Sequence, residues 1–256
     1  MFGKREKMNY KITIQFDGTR YKGFQKQTGT KENDMTIQGK LESVLKTFLG
    51  HEAQLIGCGR TDAGVHAENY IANFITDEKV NLKALMLHFD KYLPEDIFVK
   101  EVVEASDRFH ARHNAASKIY RYSISTDRGR NVFSRKYSYK LEENLDIEQM
   151  KKAAELFVGE YDFAGFSNLK SKKKSTVRKI YDIKIHTSKS GEIFIDMEGN
   201  GFLQNMVRII AGTIIEVGAG KRNPNTISEI LSHKKREEAG FMVPPQGLML
   251  LEVKYQ

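Results

Sequence analysis

Tyr10-Lys11-Ile12-Thr13-Ile14-Gln15-Phe16 alternates apolar and polar side chains with a period of two. That is the pattern of a half-buried strand. Asp17-Gly18 then supplies turn chemistry to end it. Further out the period changes. Thr36 is placed as a helix N-cap, Ile37, Leu41, Val44, Leu45 and Phe48 follow at helical spacing, and Gly50 stops the run. Gln54–Cys58 and Tyr70–Ile75 read as strands flanking a glycine-rich loop, and Val80–Phe89 reads as a helix closed by Leu93-Pro94. The second half follows a similar plan. Ile119–Ser125 is a strand with Tyr120, Tyr122 and Ile124 on one face. Asp146 caps a helix through Phe157, with Gln149 placed for a capping box and Leu145 opposite Met150 as a staple. Lys179–Thr187 and Glu192–Glu198 alternate as a hairpin turning near Ser190-Gly191. Gln204–Val217 is a strongly apolar helix with Gly218 at its C-cap. A short helix near Thr226–Ser232 and a final strand, Leu248–Tyr255, complete the chain.

Strands and helices are mixed without strict β-α-β alternation. The expected class is therefore α+β with antiparallel sheet, not a doubly wound fold. A boundary near residue 109 gives two halves, 1–109 and 110–256, with similar element order. No Pro/Gly/Ser linker marks it, so the halves are expected to share a sheet flanked by helices.

Composition bounds the function. The chain has 256 residues, 40% of them hydrophobic and 29% charged, which excludes a disordered chain. No stretch approaches the roughly 18 apolar residues of a membrane span. The charged start, Met1 to Asn9, has no apolar segment after it, so no secretory signal is visible and the cytoplasm is the expected address. Cys58 is the only cysteine, which excludes an internal disulfide and a thiolate zinc cage.

The net charge of +8 is unevenly placed. Residues 1–109 carry 16 basic and 16 acidic side chains, whereas residues 110–256 carry 25 and 17. Seven cations and one acid lie between Arg112 and Lys136, interleaved with Tyr120, Tyr122, Phe133, Tyr137 and Tyr139. Cations neutralise phosphates and rings stack on unpaired bases, so this stretch points to nucleic acid. Six cations and no acid lie between Lys170 and Lys179. For the run Lys170–Lys174 the plainer reading is a solvated face that aids solubility.

The chemistry concentrates in Gly57-Cys58-Gly59-Arg60-Thr61-Asp62-Ala63-Gly64-Val65-His66-Ala67. Three glycines in eight residues let backbone turn tightly and approach a ligand closely. A carboxylate held in such a turn can be a nucleophile or a general base, and Arg60 offers a planar fork for phosphate. The rival is a turn in which Asp62 only bonds its own backbone. Chemistry alone does not choose between them. The spacing is not that of a nucleotide-cradling glycine loop. Asp62 and His66 have no third ligand at a recognised spacing, so no metal is expected; a metal-dependent phosphodiesterase is the rival enzyme class.

Gly59-Arg60-Thr61-Asp62-Ala63-Gly64-Val65-His66-Ala67 resembles the signature of the TruA-type tRNA pseudouridine synthases. The likeness extends along nearly the whole chain in the family's order. It includes Asp17-Gly18-Thr19-Arg20-Tyr21-Lys22-Gly23-Phe24-Gln25, Thr36-Ile37-Gln38-Gly39, Leu93-Pro94-Glu95-Asp96-Ile97, Phe109-His110-Ala111-Arg112 and Lys118-Ile119-Tyr120-Arg121-Tyr122. Asp162-Phe163, Thr176-Val177-Arg178, Asn205-Met206-Val207-Arg208 and Pro244-Pro245-Gln246-Gly247-Leu248 continue it. The departures are Glu68-Asn69 after the signature where Gly-Gln is common, Phe24 where Trp is common, and the lysine-rich loop from Ser167 to Thr176.

The resemblance implies the pseudouridine synthase fold and an isomerase acting on uridines 38, 39 and 40 in the anticodon stem-loop of tRNA. It implies that Asp62 is the nucleophile, that Tyr120 lies against the target base, and that Arg208 pairs with the aspartate. It implies that Arg60 assists base flipping and that Leu248 walls the pocket. It implies a homodimer with tRNA as partner. The net reaction is an isomerisation, so no cofactor is expected. A flipped base needs a cation and a flat ring waiting for it, which fits Arg60 and Tyr120. Without the resemblance, Tyr120 and Leu248 read as core residues, Arg208 as paired or at the edge of an apolar stripe, and His66 as structural. A non-catalytic RNA-binding module on the same fold is the other rival. The sequence does not choose among aspartate attack at C1′, addition at C6 and a glycal route.

Overall fold

The computed structural model describes residues 7–27, 35–126, 132–169 and 175–256. The run Lys170–Lys174 lies outside them, as do Arg128 and Arg130. The chain divides into two compact units. One takes the chain up to Ala116 together with Leu250–Gln256; the other is Ser117–Met249. The class is α+β, with mostly antiparallel sheet and, among the described residues, five helices, as the mixed order of elements predicts.

In the first unit, β1 (Met8–Phe16) lies between β3 (His66–Thr76) and β4 (Ile97–Ala105), antiparallel to both. The two-residue β2 (Ile56–Gly57) pairs with β3. The alternation read in Tyr10–Phe16 is the burial pattern observed: Tyr10, Ile12, Ile14 and Phe16 enter the core. Helices α1 (Ile37–Leu49) and α2 (Leu82–Tyr92) pack against each other, and α2 packs on β4. Thr36 caps α1 as predicted, its Oγ1 accepting the Gly39 N–H at 3.1 Å. Gly50 ends α1 in the left-handed region at φ 77°.

The expected strand at Gln54–Cys58 shrinks to Ile56–Gly57. Side chains of α1 take over the neighbouring backbone: the Leu55 N–H donates to Glu42 Oε1 at 2.9 Å, and the Leu55 carbonyl accepts Gln38 Nε2 at 3.1 Å. The second helix starts two residues later than its apolar pattern suggests, because Asn81 is the cap, with Oδ1 accepting the Ala84 N–H at 3.1 Å.

In the second unit, β5 (Ala115–Ser125), β9 (Ile193–Gly199), β8 (Val177–Thr187) and β7 (Gly159–Asp162) pair antiparallel in that order. The two-residue β6 (Tyr139–Lys140) runs parallel to β5. The predicted hairpin is β8–β9, turning through Gly191 at φ 86°. Helix α3 (Ile147–Glu155) packs on α4 (Met206–Gly218) and β8. Asp146 caps α3, its Oδ1 accepting the Gln149 N–H at 3.0 Å. The Asp146 N–H itself donates to the Gly218 carbonyl at 2.9 Å, which ties the cap of α3 to the end of α4.

Gly218 differs from its expected role as a C-cap. It is the last helical residue; Ala219 is the cap and Gly220, at φ 70°, takes the left-handed turn. Gly218 is small because Met150, of the predicted staple pair, packs where its side chain would be. The later elements are α5 (Thr226–His233) and β10 (Leu248–Tyr255). Among the described residues no helix is long and apolar enough to cross a membrane.

Candidate active site

The glycine-rich loop leaves β2 and returns as β3. Cys58 continues the ladder, its N–H donating to the Ile71 carbonyl at 2.8 Å. Tyr70 of β3 reaches back to hold the loop, its hydroxyl donating to the Gly59 carbonyl. The Tyr70 ring stacks on Phe24 with centroids 4.0 Å apart. Gly57 is required there, since a Cβ would collide with both rings. The backbone then turns at Asp62-Ala63-Gly64-Val65. The Val65 N–H donates to the Asp62 carbonyl at 3.3 Å, and Gly64 sits third at φ 78°, the conformation a type II turn demands. Asp62 is half-buried and Arg60 exposed.

A segment far away in sequence, 17–25, meets this loop. The Phe24 N–H donates to Thr61 Oγ1 at 3.1 Å, and the Gly64 N–H donates to the Tyr21 carbonyl at 3.3 Å. Arg60 Nε donates to Gln25 Oε1 at 2.5 Å. Gly23, at φ 92°, lies so close to Thr61 that a Cβ would collide with its carbonyl. The first amides of α1 close on the same segment: Ile37 and Gln38 donate to the carbonyls of Gly23 and Phe24 at 3.2 and 2.9 Å. Gln38, inside α1, accepts the Lys26 N–H at 2.9 Å and donates to Glu42 at 2.8 Å. So 17–25, the start of α1 and the loop form one hydrogen-bonded body.

Behind it stands Asp96. It receives Arg20 Nε at 2.9 Å and the Tyr21 hydroxyl, while its carbonyl accepts the Asp17 N–H at 2.9 Å. Burial, then the bond to Asp96, push the Tyr21 hydroxyl well above its usual titration range, so it stays a donor. His66 is buried with Nδ1 accepting the Gly18 N–H at 3.1 Å. Glu68 and Asn69 form a polar cluster. Lys100 Nζ donates to Glu68 Oε1 at 2.8 Å and Asn69 Oδ1 at 2.9 Å, and Gln15 donates to Glu68 at 3.0 Å. Among the described residues no three His, Cys, Asp or Glu side chains gather as metal ligands would.

The other candidate residues belong to the second unit. Tyr120, on β5, is 9% exposed, with its ring edge-on to Phe202 at 5.3 Å. Arg208, on α4, is 8% exposed, so it is not at a surface edge. Its Nε donates to the Val243 carbonyl at 2.8 Å. Leu248 is buried and opens β10. Sequence reasoning left Tyr122 without a site role, yet it organises this region. Its hydroxyl donates to the Pro244 carbonyl at 3.0 Å, and Gly247 is pressed against its ring. Burial holds that phenol far above its usual titration range, opposed by Arg208. Arg208, Tyr122 and the stretch Val243–Leu248 thus form one packed group.

A family model described as tRNA pseudouridine synthase matches residues 12–114 and 153–256. A Clostridium tetani protein named tRNA pseudouridine synthase A 1 is 48% identical over 247 residues, covering 96% of this chain and 99% of that one. A Bacillus sp. (strain KSM-64) protein named tRNA pseudouridine synthase A is 49% identical over 233 residues, covering 91% and 94%. Among solved structures, one titled "Crystal Structure of a Cbf5-Nop10-Gar1 Complex" aligns with 94% of this chain and 48% of that one, at 13% identity and a TM-score of 0.36, a likeness too slight to bear on function.

Proposed function

We infer the function from one premise: the chain belongs to the tRNA pseudouridine synthase family. Pseudouridine synthases are isomerases, and the substrate we assign is uridine in tRNA. The finer reading is that it acts at positions 38, 39 and 40 of the anticodon stem-loop, with Asp62 as nucleophile. In the reaction the bond from uracil N1 to ribose C1′ breaks and a bond from C5 to C1′ forms. N1 gains a proton and C5 loses one, so neither redox partner nor group carrier is required. A carboxylate beside C1′ stabilises the charge that develops as the first bond breaks. Arg60 helps the base out of its stack, Tyr120 lies against it, Arg208 supplies positive charge for the carboxylate, and Leu248 walls the pocket.

The observation that carries this reading is the turn at Asp62. The carboxylate-bearing loop is fastened to the distant segment 17–25 through Thr61, Gly64 and Arg60. A loop that only joined two strands would need none of these ties; a reacting group must be held in place before the substrate arrives. The working form we propose is a cytoplasmic homodimer, checked by its mass in solution. Asp62→Ala, assayed on unmodified tRNA beside wild type, tests the nucleophile. Pseudouridine formation falls by about 10³-fold or more, as on loss of a covalent nucleophile, while tRNA binding is retained. Equal product from both proteins refutes it.

A further inference from the structure

His66 has no part in the chemistry above, yet it is 1% exposed and lies four residues beyond Asp62. Its Nδ1 is 3.1 Å from the Gly18 amide nitrogen and 3.2 Å from Asp17 Oδ1. An amide N–H only donates, so the nitrogen that receives it is the bare nitrogen of an imidazole. A bare nitrogen does not also donate to a carboxylate. The approach of Asp17 is therefore not an ion pair of that nitrogen, and the same carboxylate oxygen already receives the Thr19 N–H at 2.9 Å and the Thr19 hydroxyl at 2.5 Å.

The bond to Gly18 closes one end of a splint. The 3₁₀ turn Gly18–Arg20 runs beside the Asp62–Val65 turn. At Gly18 the backbones touch so closely that a Cβ would collide with the Val65 carbonyl. At the far end the Tyr21 carbonyl accepts the Gly64 N–H, and Arg20 and Tyr21 are anchored on Asp96. The turn that carries Asp62 thus hangs between Tyr21 and His66. Without an acceptor on His66, the buried Gly18 N–H loses its partner and that end of the splint comes loose.

We propose that His66 is a positioning residue: by presenting Nδ1 to the Gly18 amide, it sets the register of the Asp62 turn on the Gly18–Arg20 turn and so fixes where the carboxylate stands. This rests on reading Asp62 as the nucleophile. A displacement of about 1 Å at a reacting group costs about 10²-fold in rate, so a bond four residues away is near enough to matter.

Three substitutions test it. His66→Phe keeps the ring and removes the acceptor. His66→Asn carries an oxygen close to the place of Nδ1. His66→Gln carries it further out, near the place of Nε2. Each is assayed for tRNA affinity and for the single-turnover rate, read as release of the C5 hydrogen from tRNA labelled at uridine C5. The expected result is a rate about 10- to 100-fold lower for H66F with tRNA affinity within about threefold of wild type. H66N recovers to within about threefold of the wild-type rate, and H66Q stays near H66F. A folded H66N as slow as H66F, an H66Q as fast as H66N, or an H66F as fast as wild type overturns the proposal. Asp62→Ala in the same assay keeps the two readings apart. An active D62A protein refutes the nucleophile; an inactive one beside unaffected His66 variants refutes only the positioning role.

Discussion

Gly18 and Gly50 are kept as glycine for different physical reasons. Gly50 ends α1 at φ 77° with nothing within reach of an added Cβ. Gly18 needs no left-handed backbone, but a Cβ there would strike the Val65 carbonyl. Gly50→Ala therefore costs about 1 kcal/mol, the strain of one left-handed residue, and leaves turnover unchanged. Gly18→Ala costs about 1–3 kcal/mol by overpacking and also lowers turnover at least about tenfold, because the Asp62 turn must move. Urea unfolding and a saturating tRNA assay on both variants check the contrast. Equal turnover in the two would mean that the Gly18–Val65 contact does not hold the reacting group. The loop itself was legible in sequence, since three glycines around an acid, a guanidinium and an imidazole are an unusual company. Its supports were not. Thr61 meets Phe24 across 37 residues and Arg60 meets Gln25 across 35, separations at which no local periodicity carries information. Even the resemblance, which named both motifs, did not say that they touch.

At the scale of elements, local capping chemistry was readable and long-range pairing was not. Thr36 and Asp146 cap α1 and α3 as their types and positions indicate. Thr36→Ala should cost about 1 kcal/mol in urea unfolding, while Thr36→Ser, which keeps the acceptor, stays within a few tenths of wild type. Equal losses in the two would assign the effect to the lost methyl group instead. Strand β4 escaped the sequence reading for a reason visible in its register. Its partner β1 passes from Thr13 opposite Glu101 to Ile14 opposite Val99, leaving Lys100 as an extra residue. Ile97 and Val99 point inward before the bulge and Val102 after it, so the period of two breaks in mid-strand. The bulge also aims Lys100 at Glu68 and Asn69, just beyond the loop that carries Asp62. β6 and β7, two and four residues long, were too short for any pattern to emerge. Gly218 was misassigned because a glycine at a helix end reads as a cap. Only the packing of α3 on α4 reveals that its place is set by Met150.

At the scale of the whole molecule, charge divides along the same line as structure. The unit carrying Asp62 has 18 basic and 17 acidic side chains, and the other has 23 and 16, so all but one of the eight surplus charges lie in Ser117–Met249. Much of the phosphate grip is accordingly assigned to that unit, while the carboxylate proposed to react belongs to a nearly neutral one. Some of that unit's cations are already engaged by its own acids: Arg121 meets Asp196 at 2.7 Å, and Arg222 meets Glu216 at 2.7 Å. Cations tied to carboxylates release fewer counterions from RNA than unpaired ones, and the sequence places no acid between Lys170 and Lys179, so the lysine run at 170–174 is the sharper test of the assignment. Each phosphate contact contributes about 0.7–0.9 to the slope of log affinity against log salt. Replacing Lys172, Lys173 and Lys174 together by Ala should weaken tRNA binding and reduce that slope by about 1–2. The single-turnover rate at saturating tRNA should be unchanged, because the chemistry is assigned by our proposal to Asp62. A lowered rate at saturation would place the run in the reacting geometry. An unchanged slope would return it to a solvated face, and the phosphate grip would then have to come from the aromatic-interleaved stretch between Arg112 and Lys136.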